Sequence, residues 1–227
     1  MGYDNIFERH VWDSSVCNRT ENKFEGGYCY SAIALANGNY SICDSIRDKK
    51  LVGWCRNLSG GVDGSSICDG VGDTLDKVAC ITGVAVGFNR PDLCASIYDE
   101  MGFRGFSYGC YQRVAEVQRN ISVCGMIGDD YDRDFCYLGV SESTGDISIC
   151  DIISFEDKKS DCYAWFAKER GDPSLCNKTE TLEQTLEEFE KMEKCYLEVA
   201  KATGNSSVCR RMWIGYLREL CYNSTQG

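Results

Sequence analysis

Apolar residues in this chain recur at steps of three and four, the spacing that places them on one face of an α-helix. In several segments the sequence reads Cys-Tyr-x-x-(Val/Ile)-Ala-x-x-x-Gly, as from Cys29 to Gly38. In others an apolar residue stands three positions after a cysteine, as Ile46 follows Cys43. The pattern predicts pairs of short helices whose apolar faces also carry the cysteines.

The cysteines show that this unit is repeated. Two cysteines lie 12 residues apart within each unit, except for 16 in the fourth unit and 19 in the seventh, and 13 or 14 residues separate successive units. The sixteen are Cys17, Cys29, Cys43, Cys55, Cys68, Cys80, Cys94, Cys110, Cys124, Cys136, Cys150, Cys162, Cys176, Cys195, Cys209 and Cys221. Eight copies of a unit of about 26 residues are typical of a helical solenoid. The sequence predicts an all-α solenoid of eight short αα-hairpins, numbered here 1 to 8, over residues 13–227.

A turn signal precedes the first cysteine of most hairpins. Asp or Asn, whose side chains cap free amides at helix starts, stands four residues before it in six hairpins. These residues are Asp13, Asn39, Asn120, Asp146, Asp172 and Asn205. Glycine, which tolerates the positive φ that ends many helices, directly precedes four of them, at Gly38, Gly145, Gly171 and Gly204. The turn sequence therefore ends one helix and begins the next.

Helix geometry predicts that each hairpin is closed by its own disulfide. A loop centred in the 12-residue gap leaves each cysteine about four residues, or roughly 6 Å, from the turn, so the two lie level on antiparallel helices. Cysteines of successive hairpins would be staggered by roughly 7 Å along the helix axes, which exceeds the reach of a disulfide. Hairpins 4 and 7, over residues 90–119 and 172–204, have longer gaps and are predicted to be taller.

The cysteine content also indicates a compartment. Eight disulfides imply an oxidising environment, so we expect an extracellular or cell-surface protein. The chain shows no signal segment, so secretion requires that a leader be removed before Met1, and a cytosolic protein of a hyperthermophile is the alternative. The net charge of −11 disfavours nucleic-acid binding. No apolar run approaches the ~18 residues of a membrane helix, so no membrane span is predicted.

Residue types that carry catalysis or bind metals are scarce. The single histidine, His10, excludes most zinc enzymes and histidine triads, and no Cys-x-x-Cys pair is present. We therefore predict no enzyme activity, no cofactor and no metal. The run from Gly128 to Asp134 has carboxylates at 130, 132 and 134 like the start of a calcium loop, but it lacks that loop's Gly and its final Glu. We interpret the run as a solvated turn that begins the second helix of hairpin 5.

Seven sequons of the form Asn-x-Ser/Thr make the chain a candidate glycoprotein. They begin at Asn18, Asn39, Asn57, Asn120, Asn177, Asn205 and Asn223. Three of them, at Asn39, Asn120 and Asn205, coincide with predicted helix caps, and the repeat itself places Ser two residues later. The other four have no such explanation, and Asn18 and Asn177 hold the same position in their hairpins. We expect glycosylation of at least one site.

The two ends of the chain fall at the same phase of the repeat. Residues 1–12 match the second half of a hairpin's second helix, and hairpin 8 stops soon after Cys221. Both ends carry apolar residues, which are Ile6, Phe7, Val11 and Trp12 at the start and Met212, Trp213, Tyr216 and Leu217 in hairpin 8. A head-to-tail contact that does not close on itself generates an open filament. We expect the N-terminal segment of one copy to complete the last hairpin of its neighbour; irregular caps and processing of further residues are the alternatives.

Disulfide-stapled hairpins of this kind resemble secreted cysteine-rich repeat proteins of Sel1-type or tetratricopeptide-like architecture, whose repeats are longer. The pattern Asp/Asn-x-Ser-(Ile/Val/Leu)-Cys followed by Cys-Tyr-x-x-x-Ala is also similar to uncharacterised cysteine-rich repeat proteins of archaeal surfaces. The resemblance covers nearly the whole chain and implies a surface location, with no catalytic residue.

Together these features predict an extracellular structural protein whose partners are copies of itself, and other surface proteins, in a surface filament. A monomeric secreted scaffold that binds other proteins is the alternative. A metal or thiol store is a third reading.

Overall fold

The structure is a computed structural model that describes residues 14–20, 23–57, 68–69, 71, 73–101, 104–179 and 186–225. Within these ranges the regular elements are all helical and no strand is present, as the sequence predicts. The N-terminal segment 1–12, with Ile6, Phe7, Val11 and Trp12, lies outside the described residues. The chain divides into two compact units, Met1–Gly128 and Asp129–Gly227, called here the N-terminal and C-terminal units.

The second helix of each hairpin is an α-helix that carries the second cysteine. In chain order the α-helices are α1 Lys23–Asn37, α2 Lys49–Asn57, α3 Thr74–Gly87, α4 Cys94–Met101, α5 Arg104–Gln118, α6 Asp130–Thr144, α7 Glu156–Arg170, α8 Leu186–Thr203 and α9 Gly215–Ser224. Three of them begin with a self-supplied cap. Asp48, Asp73 and Asp129 each accept hydrogen bonds from the backbone N–H groups two and three residues later.

The first helix of a hairpin is a short 3-10 helix rather than an α-helix. These segments are Ser14–Arg19, Tyr40–Ser45, Ile121–Met126, Ile147–Ile152, Pro173–Thr179 and Ser206–Arg211. They contain only six or seven residues. A 3-10 helix suits so short a segment because its hydrogen bonds join residues three apart, whereas those of an α-helix join residues four apart. In hairpin 4 the 3-10 turn Pro91–Leu93 continues into α4, so the first half of that hairpin is longer than the six- and seven-residue segments above.

The predicted turns between hairpins are confirmed where the structure describes them. Gly38, Gly145, Gly171 and Gly204 have φ of 60°, 74°, 62° and 64°. The side-chain oxygen of Asn39 accepts the N–H of Ser41 (3.2 Å) and its hydroxyl (2.6 Å), and Asn205 and Ser207 repeat both bonds. The recurrent Ser therefore supplies two donors to the capping oxygen.

The disulfides pair within hairpins, as helix geometry predicts. The bonds are Cys17–Cys29, Cys43–Cys55, Cys68–Cys80, Cys94–Cys110, Cys150–Cys162, Cys176–Cys195 and Cys209–Cys221. Cys124 and Cys136 are also disulfide-bonded, and none of the sixteen cysteines, all of which are described, is free. Every cysteine is at most 5% exposed, so the disulfides form much of the core.

The N-terminal unit packs hairpin 3 directly against hairpin 1. Helix α3 contacts α1 and α5, while α2 contacts α1. At Gly83 an added Cβ would lie 2.5 Å from the Glu25 carbonyl oxygen, and at Gly87 one would lie 3.0 Å from the Cys29 carbonyl oxygen. These two glycines, four residues apart, let the backbones of α1 and α3 approach closely. The arrangement differs from the strictly sequential stacking of a regular solenoid.

The C-terminal unit packs its helices in chain order. Helix α6 contacts α7, α7 contacts α8, and α8 contacts α9. Phe166 of α7 is buried beside the disulfide of hairpin 6, and Met192 and Met212 are buried with the disulfides of hairpins 7 and 8. Each hairpin in this unit therefore completes its core against the next.

Candidate functional site

Two carboxylates of the C-terminal unit are buried where one hairpin meets the next. Asp134 on α6 is 1% exposed and accepts the backbone N–H groups of Ser154 (2.8 Å) and Phe155 (2.7 Å). Phe155 is the N-cap residue of α7, and its side chain forms no cap bond. A carboxylate of hairpin 5 therefore binds the N-cap residue of α7 and the residue before it, whereas an Asp cap accepts from the N–H groups two and three residues further on.

Glu193 does the same between hairpins 7 and 8. Its side chain on α8 is fully buried and accepts the N–H of Trp213 (2.9 and 3.0 Å) and of Ile214 (3.0 Å). Ile214 is the N-cap residue of α9 and has no side-chain cap bond of its own. Burial of a charge is costly unless it is hydrogen-bonded, and here the N–H groups and the positive end of the helix dipole balance the charge.

Both inter-hairpin caps use the same positions of the repeat. Asp134 and Glu193 stand two residues before the second cysteine of their hairpins, and Phe155 and Ile214 stand seven residues before theirs. In the self-capped helices the latter position holds Asp48, Asp73 and Asp129. An apolar residue at that position thus accompanies a carboxylate from the preceding hairpin.

Hairpin 8 exposes three large apolar side chains, one just before α9 and two on it, called here the end surface. Trp213 is 79% exposed, Tyr216 62% and Leu220 46%. Met212 and Leu217, which the sequence analysis grouped with Trp213 and Tyr216, are buried in the core of the C-terminal unit. They pack in one buried cluster with the disulfide of hairpin 8 and with α8. The exposed surface therefore consists of Trp213, Tyr216 and Leu220.

A second recurrent contact joins the two helices beside the disulfides. Tyr30 donates its hydroxyl to the Asn18 side chain, Tyr196 to Asn177 and Tyr163 to Asp151. Each acceptor directly follows the first cysteine of its hairpin, and each tyrosine follows the second. In hairpin 2 an ion pair between Asp44 and Arg56 occupies these positions. Burial, and then the contact with Asp151, raise the pKa of Tyr163 well above its ordinary value.

This contact accounts for two of the unexplained sequons. Asn18 and Asn177 accept from tyrosine, while Thr20 and Thr179 donate their hydroxyls to the carbonyl oxygens of Cys17 (2.8 Å) and Cys176 (2.7 Å). Both sequons thus have structural roles.

The remaining sequons fall into two groups. Asn39, Asn120 and Asn205 cap 3-10 helices, as predicted. Asn223 is exposed near the end of α9, and the side chain of Asn57 lies outside the described residues.

The acidic run of hairpin 5 begins the second helix of that hairpin, α6, as predicted, and residues 128–131 are exposed. Asp129 caps the helix, Asp130 pairs with Arg133, and Asp134 is the buried inter-hairpin cap. Burial, and then the charge of Asp129, raise the pKa of Asp132. Within the described ranges no group of three His, Cys, Asp or Glu side chains is placed to hold a metal ion.

A polar groove of about 520 Å³ lies between hairpins 1 and 2 in the N-terminal unit. Its lining includes Arg19, Lys23 and Arg47, and no carboxylate side chain among the described residues. Arg19 donates to the carbonyl oxygen of Val117 (2.7 Å). In a chain with a net charge of −11, this groove is a local concentration of positive charge.

Comparisons with known proteins return nothing for this chain: no family model, no curated protein and no solved structure matches it. Among the helices that the structure describes, none is both long enough and apolar enough to cross a membrane.

Proposed function

We propose that the protein is an extracellular structural protein, built of eight disulfide-closed hairpins, that assembles end to end into a surface filament. The complete pairing of sixteen buried cysteines supports an oxidising compartment. The chain-order packing of α6 to α9 supports stacking as the construction rule. A second molecule would add to hairpin 8 by the same packing of one hairpin on the next.

The observation that carries the proposal is the end surface. Hairpins 5 and 6 also expose apolar side chains, at Tyr131, Ile152 and Phe155, but none by more than 50%. Hairpin 8 exposes Trp213 by 79% and Tyr216 by 62%, together with Leu220 by 46%. Large apolar side chains clustered at one exposed end mark an interaction surface. A heterologous contact at such an end, repeated from copy to copy, produces an open filament.

Negative-stain electron microscopy of the native, unreduced protein over a range of concentrations tests this proposal. We expect filaments with a regular axial repeat, and we expect Trp213→Ser with Tyr216→Ser to abolish them. Leu75→Ser is the matched control, because Leu75 belongs to the N-terminal unit and is 63% exposed, as Tyr216 is 62% exposed. Uniform single particles at every concentration would refute assembly.

The second candidate function is a monomeric binding scaffold, and the cationic groove between hairpins 1 and 2 favours it. A groove lined by Arg19, Lys23 and Arg47 fits an acidic segment of a partner protein. Binding of a labelled tetraglutamate peptide tests the idea. Lys23→Gln with Arg47→Gln is expected to abolish binding, whereas Arg56→Gln, which removes a cation already paired with Asp44, is expected to preserve it.

The third reading, metal or thiol storage, gains no support from the structure. Storage requires thiolates, because a thiolate and not a disulfide is the metal ligand. All sixteen sulfurs are committed to disulfides.

A further inference from the structure

Glu219 occupies the position of the inter-hairpin caps, but on the last hairpin. It stands two residues before Cys221, as Asp134 stands before Cys136 and Glu193 before Cys195. Asp134 and Glu193 are both buried by the hairpin that follows them. Glu219 is exposed, and no described residue donates a hydrogen bond to its carboxylate.

Glu219 lies next to exposed apolar side chains of α9, on the side of the helix that does not pack against the rest of the C-terminal unit. On α9, Tyr216 lies one helical turn before Glu219 and Leu220 directly after it, so the carboxylate borders the end surface. Leu217 and Cys221 occupy the opposite, buried side of the same helix. The end surface therefore combines an apolar contact area with one acceptor at a fixed position of the repeat.

We propose that the end surface is a docking site for another disulfide-closed hairpin of this type, and that Glu219 accepts hydrogen bonds from the backbone N–H groups of the N-cap residue of the incoming second helix and of the residue before it. The same contact occurs within the protein, where Glu193 accepts the N–H groups of Trp213 and Ile214. The proposal shares its surface with the proposed filament contact. It holds whichever chain supplies the hairpin.

The carboxylate defines the chemistry of the partner. The incoming helix has an uncharged, apolar N-cap residue, as α7 has Phe155 and α9 has Ile214, because these are the helices whose N-cap N–H a carboxylate of the preceding hairpin binds. An Asp at that N-cap position, such as Asp48, accepts from the N–H groups two and three residues later and leaves its own N–H free for another acceptor, but its carboxylate would repel Glu219. Two end surfaces also do not pair with each other symmetrically, because that would bring two Glu219 carboxylates together.

A hairpin probe tests the proposal on the full-length protein. The probe is a labelled, oxidised peptide of residues 202–227, which carries the Trp213–Ile214 helix start, with its own Glu219→Lys to prevent stacking of probe on probe. We expect saturable binding by fluorescence anisotropy, at least tenfold weaker to Glu219→Lys protein and unchanged for Glu198→Lys, whose glutamate is exposed on α8. We also expect a probe with Ile214→Asp to bind at least tenfold more weakly, since the added carboxylate would repel Glu219.

A tandem chain provides the second measurement, independent of whether the free peptide folds. Appending residues 202–227 after Gly227 places the first added cysteine 14 residues after Cys221, the spacing between Cys195 and Cys209. We expect the two amides equivalent to Trp213 and Ile214 to be protected from hydrogen exchange, and Glu219→Lys to remove that protection. Unprotected amides, or protection that survives Glu219→Lys, would overturn the proposal.

The two proposals fail differently. Filaments that persist in Glu219→Lys would refute the role of Glu219 while leaving end-to-end assembly in place. Probe binding that depends on Glu219, in a protein that forms no filaments, would refute self-assembly and leave the docking site in place.

Discussion

The carboxylate of Glu193 accepts the backbone N–H of Ile214 at 3.0 Å, so a buried charge of hairpin 7 caps the last helix of the C-terminal unit. The helix start and its cap belong to different hairpins, 21 residues apart. Hairpin 8 is therefore held by a polar contact as well as by apolar packing. This relationship makes the junction between hairpins sensitive to one side chain.

Removing the Glu193 carboxylate is expected to destabilise the protein strongly. In Glu193→Ala three hydrogen bonds are lost and two partly buried N–H groups remain unpaired, which costs about 2–4 kcal/mol. Guanidinium denaturation under non-reducing conditions measures the loss. Glu198→Ala is the control, because its exposed ion pair with Lys201 is worth less than about 1 kcal/mol. Equal effects of the two variants would contradict the assigned role.

Arg119→Gly is expected to stabilise the protein. Arg119 has a φ of 55° at the turn after α5, a left-handed conformation in which four other turns use glycine. Relieving this strain is worth about 1 kcal/mol. Gly145→Ala, which introduces a side chain at a φ of 74°, is the reverse substitution and should destabilise by a similar amount. Melting temperatures that move in the opposite directions would contradict the explanation.

Opening the disulfide of hairpin 8 is expected to unfold that hairpin. Helix α9 has only 10 residues, which is too short to persist alone, and a crosslink over a 12-residue separation contributes about 3 kcal/mol. The variant Cys209→Ala with Cys221→Ala should lose helical circular dichroism and hydrogen-exchange protection in residues 205–225. Thiol titration of the denatured, unreduced wild type should detect no free thiol. Free thiols there would contradict the disulfide framework.

Acid sensitivity is expected to depend on two Asp caps. Hydrogen bonds from the hydroxyl, and then from the backbone N–H, of Ser148 and Ser174 lower the pKa of Asp146 and Asp172 below 3.8. Because the folded pKa is depressed, this stabilisation is present above about pH 4 and is lost as the pH falls through the folded pKa. Asp146→Asn with Asp172→Asn should therefore lose less stability between pH 4 and pH 2 in thermal melts.

The Asn caps provide the converse variant for this acid test. Asn120 accepts the N–H of Ser122 in the same position without titrating. Asn120→Asp should add acid sensitivity that the wild type lacks. Identical pH profiles for all variants would contradict the contribution of the caps.

Alkaline sensitivity is expected to involve Tyr163. Burial, and then the hydrogen bond to Asp151, raise its pKa above 10.0. Since the folded state favours the neutral phenol, this contribution is present below about pH 10 and is lost as the pH rises toward the folded pKa. Tyr163→Phe should cost about 1 kcal/mol at pH 7 and reduce the further loss above pH 10. Tyr216→Phe, at an exposed ring, is the control in denaturant titrations at both pH values.

The contacts between hairpins depended on tertiary structure. Sequence analysis placed Asp134 in a solvated turn and gave Glu193 no role, because a carboxylate on a helix is usually exposed to solvent. The sequence marks these two junctions only by Phe155 and Ile214, which are apolar residues at the N-cap position and form no side-chain cap bond. Likewise, hairpin 3 packs on hairpin 1 because Gly83 and Gly87 fit the surface of α1, and hairpin spacing contains no information about that fit.

What the sequence by itself determined lies within single hairpins and in the short turns that join them. The disulfide pairing, the turn at Asn39 and the left-handed Gly38 all involve residues close in the chain, where helix rise and backbone φ leave few alternatives. Which hairpins meet, and which polar groups they bury between them, depends on the shapes of two folded surfaces. Those surfaces exist only after each hairpin has formed, so only the tertiary structure decided them.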